Sequence, residues 1–120
     1  MADPARLESD HEDGCVVIRL SGEIDLTNVG RLEEQIEGAI ADARDVVIDL
    51  TEVHFLDSGG LRLLSRVSTG AADHNQSFVV VAPPDSIARS VIDIAGMTGE
   101  LIVRDAPPGA RTEIERSTGG

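Results

Sequence analysis

The chain of 120 residues is 41% hydrophobic, enough to bury the core of one domain without disulfides or a metal. Its 22 acidic residues outnumber 10 basic residues, all of them arginine, and the formal net charge is −12. This charge would repel a phosphate backbone, and two phenylalanines without tryptophan or tyrosine offer little surface for stacking on bases. The composition therefore argues against direct nucleic-acid binding. A partner with a basic surface fits better, but the charge alone is explained first by solubility.

The N-terminal part of the chain predicts a cytoplasmic protein. Residues 1–13 form an acidic segment without the basic and apolar regions of a signal peptide, and we expect at most a short edge strand over residues 5–9. No apolar run approaches the roughly 20 residues that span a bilayer, so no membrane association is expected. The single cysteine, Cys15, lies in an apolar run, which favours a buried and unreactive thiol.

Four apolar runs predict β-strands, at residues 15–20, 46–50, 77–82 and 101–103. The first three are rich in β-branched residues and almost uniformly apolar, which is typical of strands that helices cover.

Helical spacing of apolar residues marks three segments between these strands: residues 26–43, residues 58–70 and residues 87–94. Asp25 or Thr27 is expected to cap the first helix, and Asp85 or Ser86 the third. Gly96 is expected at the C′ position that follows the third helix.

The alternation of strands and helices indicates an α/β fold with a single, mainly parallel sheet. Without an internal repeat or a domain boundary, residues 14–105 are interpreted as one domain. Residues 106–120 are interpreted as a partly disordered C-terminal tail with one helical turn near Ile114. Because parallel strands end at one edge, where ligands bind in such sheets, several polar residues should gather there: Glu23, Asp25, Thr27, Asp57, Ser58, Asp85 and Ser86.

The sequence Asp57-Ser58-Gly59-Gly60 stands where the second of these buried strands is followed by a helix. An Asp or Ser at this position is usually an N-cap, which stabilises a helix by ~1 kcal/mol. Capping does not explain two glycines in the first turn, since each costs ~1 kcal/mol relative to alanine. We interpret them as leaving Ser58 sterically open and the neighbouring backbone amides exposed. The Ser58 hydroxyl would then lie at a positive helix end that suits a phosphate.

Two enzyme classes fit parts of this pattern. Asp-Ser-Gly-Gly also surrounds the nucleophile of chymotrypsin-like proteases, but these are much longer double β-barrels that need a histidine base. The histidines here, His11, His54 and His74, lie in polar or linking segments. A receiver-like phospho-aspartate domain needs a lysine beside the carboxylate, and this chain has none. We therefore do not expect an enzyme.

A divalent cation is a further alternative for the same edge, because carboxylate oxygens are ligands for such ions. The candidates are Glu23, Asp25, Asp57 and Asp85. Helix capping explains these residues better, so the sequence predicts neither a metal nor another cofactor.

Four motifs occur in order along the chain: Gly22-Glu23-Ile24-Asp25, Asp49-Leu50-Thr51, Asp57-Ser58-Gly59-Gly60-Leu61 and Asp93-Ile94-Ala95-Gly96-Met97. Their order and spacing over about residues 16–105 resemble the STAS domain of bacterial anti-sigma factor antagonists. The resemblance implies a STAS-like fold, in which a mixed sheet has its helices packed on one side.

The resemblance also implies a regulatory switch. The unphosphorylated antagonist binds an anti-sigma factor, usually an ATP-dependent serine kinase, and so releases a sigma factor. The kinase then phosphorylates the serine that corresponds to Ser58, and a protein phosphatase reverses the modification. Asp25 is implied to shape the phosphosite, together with Asp57, Gly59 and Gly60. Some members carry a second hydroxyl residue where this chain has Gly59, which removes one acceptor here.

The partner surface is expected to include Ser58 and the exposed start of its helix, with Arg62 and Arg66 as candidate contacts. The alternative for both arginines is a solvated helix face. A phosphate on Ser58 would weaken binding by local repulsion without a large conformational change. The competing hypothesis is a STAS scaffold or ligand-binding interaction module that is not phosphorylated.

Overall fold

The computed structural model describes residues 4–97 and 100–106 of the chain. Five strands and three helices follow one another in this part: β1 (Arg6–Glu12), β2 (Cys15–Ile24), α1 (Val29–Ile40), β3 (Asp45–Leu56), α2 (Ser58–Asp73), β4 (Ser77–Val81), α3 (Ile87–Ile94) and β5 (Val103–Arg104). The strands form one sheet in the order β1-β2-β3-β4-β5, in which β1 is antiparallel to β2 and the other neighbours are parallel. The α/β fold class with a single mixed sheet is therefore confirmed.

The core lies between the helices and one face of this sheet. Ile18 of β2 and Ile48 of β3 are fully buried, and they belong to the same cluster as Ile36 of α1, Leu63 of α2 and Ile92 of α3. Burial of each such side chain stabilises the fold by roughly 1.5–3 kcal/mol. The amphipathic spacing in the sequence thus predicts the buried faces of α1 and α2 correctly. For α3 it is wrong, because Ile87 and Ile94 are exposed whereas Ala88 and Ile92 are buried.

A smaller apolar cluster lies on the other face of the sheet, because successive strand residues point to opposite faces. It comprises Cys15, Val47 and Val81, with Val17 packed against it. The thiol of Cys15 is buried, as the sequence predicts.

The N-terminal segment is more ordered than predicted. Instead of a short strand over residues 5–9, the seven residues of β1 pair with β2 along their whole length, from Arg6 opposite Ser21 to Glu12 opposite Cys15. Asp13 and Gly14 form the connection with positive φ angles of 50° and 80°, the backbone that a two-residue hairpin turn requires. The polar side chains of β1 are almost all exposed, so hydrophobic periodicity carried no signal of this strand.

Strands β2 and β3 extend beyond their predicted ends, and they reach the edge where Ser58 lies. Their pairing continues through two register shifts to Ile24 opposite Leu56. The predicted linker before Asp57 is therefore strand, and His54 lies within β3 rather than in a linker. These extensions bring the residues that follow β2 next to the residues that follow β3.

The helix boundaries differ from prediction at three ends and agree for α3. Helix α1 begins at Val29 and ends at Ile40, and α2 continues to Asp73. Ser86 caps α3 by accepting a hydrogen bond from the Arg89 amide, and Gly96 has a φ of 73°, as predicted for C′. Strand β5 begins two residues later than predicted. The predicted tail beyond residue 106, with its turn near Ile114, lies outside the described residues.

Candidate functional site

The candidate site is built where β2 and β3 end side by side. The Asp57 amide donates a hydrogen bond of 3.3 Å to the Ile24 carbonyl oxygen, which joins the end of β2 to the start of α2. Asp25 follows Ile24 directly, and Ser58 follows Asp57. Three of the predicted site residues, Asp25, Asp57 and Ser58, therefore share one edge of the molecule.

Asp57 is the N-cap of α2. Its Oδ1 accepts hydrogen bonds from the amides of Gly59 at 2.8 Å and Gly60 at 3.2 Å. Ser58 is the first residue of the helix, and its side chain is exposed. Asp57 thus caps the helix, and the next residue, Ser58, carries an exposed hydroxyl. Because Asp57 already occupies two amides, a group attached to Ser58 would not find them exposed, contrary to the expectation from sequence.

The two glycines are buried, and their role differs from the clearance that the sequence suggested. A Cβ added to Gly59 would lie 2.7 Å from Leu26 Cδ2, and one added to Gly60 would overlap Leu56 Cδ1 and lie 3.2 Å from Ile24 Cγ2. Both residues therefore allow the first turn of α2 to approach the ends of β2 and β3. Ser58 is exposed, as expected, but the glycines do not cause its exposure, because their missing side chains would face inwards.

The loop from Asp25 to Asn28 is closed by its own side chains. Asp25 Oδ1 accepts hydrogen bonds from the Thr27 hydroxyl at 2.5 Å and the Thr27 amide at 2.9 Å, while Asn28 donates to the Glu23 carbonyl. Asn28 occupies the N-cap position of α1 without a capping side-chain bond, so neither predicted cap is used. The Thr27 hydroxyl, and after it the Thr27 amide, lower the pKa of Asp25, which is therefore a carboxylate at neutral pH.

Arg62 and Arg66 are both exposed on α2, but their surroundings differ. Arg66 Nη2 lies 2.9 Å from Glu33 Oε1, and this pair links α2 to α1. The described residues provide no ion pair for Arg62. Arg66 is thus partly engaged within the molecule, whereas Arg62 is available at the surface.

Exposed apolar side chains at the same edge were missed by the sequence analysis. Leu26, which helical spacing assigned to α1, lies in the loop and is 64% exposed. Phe55, near the end of β3, and Ile87, at the start of α3, are also exposed. Hydrophobic spacing could not reveal them, because the identity of an apolar residue at a helix or strand end does not show whether its side chain is buried.

Carboxylates at this edge do not form a metal centre. Within residues 4–97 and 100–106, no three or more His, Cys, Asp or Glu side chains are grouped so that they could hold a metal ion. Asp25 and Asp57 instead accept hydrogen bonds from neighbouring groups. In the described part of the chain, no helix has both the length and the apolar composition needed to cross a membrane.

Comparisons with known proteins extend over most of the chain. A family model described as "Mlab, STAS domain" matches residues 7–104. The anti-sigma-F factor antagonist RsfB of Mycobacterium tuberculosis is 39% identical over 90 residues, which cover 74% of this chain and 71% of that protein.

Solved structures give the same result for the fold. The crystal structure of an anti-sigma factor antagonist from Mycobacterium paratuberculosis superimposes with a TM-score of 0.76 at 28% identity, covering 96% of this chain and 99% of that one. The anti-sigma factor antagonist SpoIIAA in its unphosphorylated form has a TM-score of 0.74 at 22% identity, with 96% and 98% covered. At that identity, the second match supports the fold alone.

Proposed function

The chain belongs to the STAS domain family, and on that premise we propose that it is an anti-sigma factor antagonist controlled by phosphorylation of Ser58. In this proposal, the unphosphorylated protein binds an anti-sigma factor that is also a serine kinase, and a sigma factor is released. A phosphatase restores the active form. The proposal places these events in the cytoplasm and in the domain predicted over residues 14–105, to which the structure adds β1.

The observation that carries the proposal is the exposed Ser58 hydroxyl on a rigid support. Asp57 fixes the first turn of α2 by capping it, and Gly59 and Gly60 hold that turn against the ends of β2 and β3. A kinase therefore meets an acceptor residue whose backbone position is set by packing against the core. No general base among the described residues is bonded to Ser58, which fits a residue that another protein's catalytic site modifies.

Phosphorylation would transfer the γ-phosphoryl group of ATP to Ser58 Oγ. The new O–P bond forms as the bond from the γ-phosphorus to the bridging oxygen of ADP breaks, and the hydroxyl proton passes to a base of the kinase. ATP supplies the phosphoryl group, and ADP leaves. The antagonist contributes only the positioned hydroxyl.

The charge of the phosphate explains how binding would be switched. It adds about −1.5 to −2 charges next to the carboxylates of Asp57 and Asp25. The capped turn can accept this group at the surface without moving the buried glycines. A partner that bonds the Ser58 hydroxyl would lose that contact, which costs ~1–3 kcal/mol and weakens binding roughly tenfold to a hundredfold.

The exposed apolar residues Leu26, Phe55 and Ile87 favour a protein partner at this edge. Apolar side chains of this kind, surrounded by charged and polar groups, are typical of protein interfaces. The same observation also supports the second candidate function, a STAS scaffold that binds its partner without being phosphorylated.

Incubation with ATP and an anti-sigma factor kinase encoded in the same genome separates these two functions. We expect one covalent phosphate, mapped by mass spectrometry to the peptide that contains Ser58, and none in Ser58→Ala. Ser65 in the same helix is the matched position, and its substitution with alanine should leave the modification unchanged. Stable binding without any modification would support the scaffold.

A further inference from the structure

Helix α2 presents a serine and an arginine one turn apart on its outer face. Ser58 is its first residue and Arg62 its fifth, and both side chains are exposed, whereas Leu63 and Leu64 are buried. Helical residues four positions apart have Cβ atoms about 5–6 Å from one another. A phosphate on Ser58 Oγ would therefore lie within reach of the Arg62 guanidinium group.

Arg62 is available for such a contact, whereas the neighbouring arginines are not. Arg66 is paired with Glu33 of α1 at 2.9 Å. Arg31 precedes Glu33 by two positions, which is about 200° around the helix, so it faces away from α2. Arg62 forms no ion pair with the residues that the structure describes.

Three acidic residues lie at the same edge of the sheet as Ser58. Asp57 precedes it in the chain, Asp25 belongs to the loop whose Leu26 packs on Gly59, and Asp85 precedes α3 at the same edge. The amides of Gly59 and Gly60 are already bonded to Asp57. A phosphate here would stand among carboxylates, with Arg62 as the cation at helical spacing.

We propose that Arg62 is the internal counterion of phosphorylated Ser58. The inference rests on the proposed phosphorylation of this serine. An anion placed N-terminal to a cation at this spacing is the favourable arrangement in a helix, and a guanidinium group can bond phosphate in a bidentate manner. Phosphorylation would thus have two effects on the surface. It adds an anion, and it pairs the exposed Arg62 cation, which a partner could otherwise contact.

The second pKa of the phosphate tests this pair directly. Phosphoserine is encoded at position 58 during synthesis, so that no kinase is needed, and the phosphorus resonance is followed by NMR as a function of pH. A nearby cation favours the dianion and lowers this pKa, so Arg62→Gln should raise it by about 0.3. Arg62→Lys should restore most of the difference. In 1 M salt the difference should vanish, since the screening length is then about 3 Å.

Arg66→Gln is the matched control, because Arg66 is on the same helix but paired with Glu33. We expect it to leave the phosphate pKa unchanged. The proposal is overturned if the second pKa of the phosphate in Arg62→Gln equals that in the parent protein. It is also overturned if Arg66→Gln shifts this pKa by as much as Arg62→Gln does. Failure of the proposed function would appear elsewhere, as the absence of kinase-dependent modification of Ser58.

Discussion

The two ends of helix α2 use the same residue type for opposite purposes. At its start, Gly60 has no space for a Cβ, because Leu56 and Ile24 occupy it. Near its end, Gly70 has no atom within 4 Å of where a Cβ would lie, and it lines an open cavity of about 240 Å³ between α1 and α2. Close packing thus requires a glycine at position 60, next to the site, whereas position 70 has room for a larger side chain.

This difference locates the rigid part of the molecule. The first turn is held by the Asp57 cap and by contact with two strand ends, so the backbone of Ser58 has a fixed position. The last turns face a cavity with room for larger side chains. The proposed function depends on the first turn alone. Replacing glycine with alanine should lower the free energy of unfolding at the first turn and raise it near the end of the helix.

The largest effect is expected for Gly60→Ala. The added methyl group would overlap Leu56, whose side chain is buried and cannot move freely, so the free energy of unfolding should fall by about 1–3 kcal/mol. Urea denaturation measures this. Gly59→Ala is the control: its methyl group meets Leu26, which is exposed and can rotate away, so the loss should be smaller. Equal losses would refute the packing account.

A loss of ~1 kcal/mol is expected for Asp57→Ala, because two amides of the first turn lose their acceptor. Asp57→Asn retains a capping oxygen and should cost only a fraction of that amount. Thermal unfolding of both variants gives the comparison. If asparagine were as harmful as alanine, the charge of Asp57 and not its cap would stabilise this turn.

At the other end, Gly70→Ala should stabilise the protein by about 0.5–1 kcal/mol. Alanine lowers the conformational entropy of the unfolded chain, and the cavity accepts its methyl group without a clash. Gly38→Ala in α1, where a Cβ would also be in open space, is the matched variant and should behave alike. Destabilisation of either variant in urea denaturation would contradict the conclusion that these positions have room for a methyl group.

The smallest effect concerns the loop against which Gly59 packs. The hydrogen bonds from Thr27 lower the folded-state pKa of Asp25, so this carboxylate contributes stability above its unfolded pKa. That contribution disappears as the pH falls through the lower, folded-state pKa. Thr27→Val should raise the pKa of Asp25, which carboxyl-carbon NMR resolves, and should weaken the acid dependence of stability below about pH 4. An unchanged Asp25 titration would contradict this assignment.

Much of the site follows from local sequence signals. Apolar runs and helical spacing predict the buried strands and the buried faces of α1 and α2. An Asp-Ser pair before an apolar repeat predicts the cap and the exposed hydroxyl of Ser58. The α3 cap at Ser86 and the C′ glycine at Gly96 are likewise correct, because each depends on a few neighbouring residues.

The features that sequence did not reveal depend on residues distant in the chain. Strand β1 has a single apolar residue, Leu7, and is held by its pairing with β2, so periodicity could not detect it. The role of Gly60 is set by Leu56 and Ile24, which the long pairing of β2 with β3 brings to the start of α2. The exposure of Leu26 likewise depends on where α1 begins.

The central claim is that the state of the Ser58 hydroxyl sets the affinity for the anti-sigma factor. Calorimetric titration of the anti-sigma factor kinase with the unmodified protein, and with protein that carries phosphoserine at position 58, measures this affinity. We expect a Kd roughly tenfold to a hundredfold higher for the phosphorylated form, and Gly70→Ala should bind like the parent. Equal affinities of the phosphorylated and unmodified proteins would contradict it.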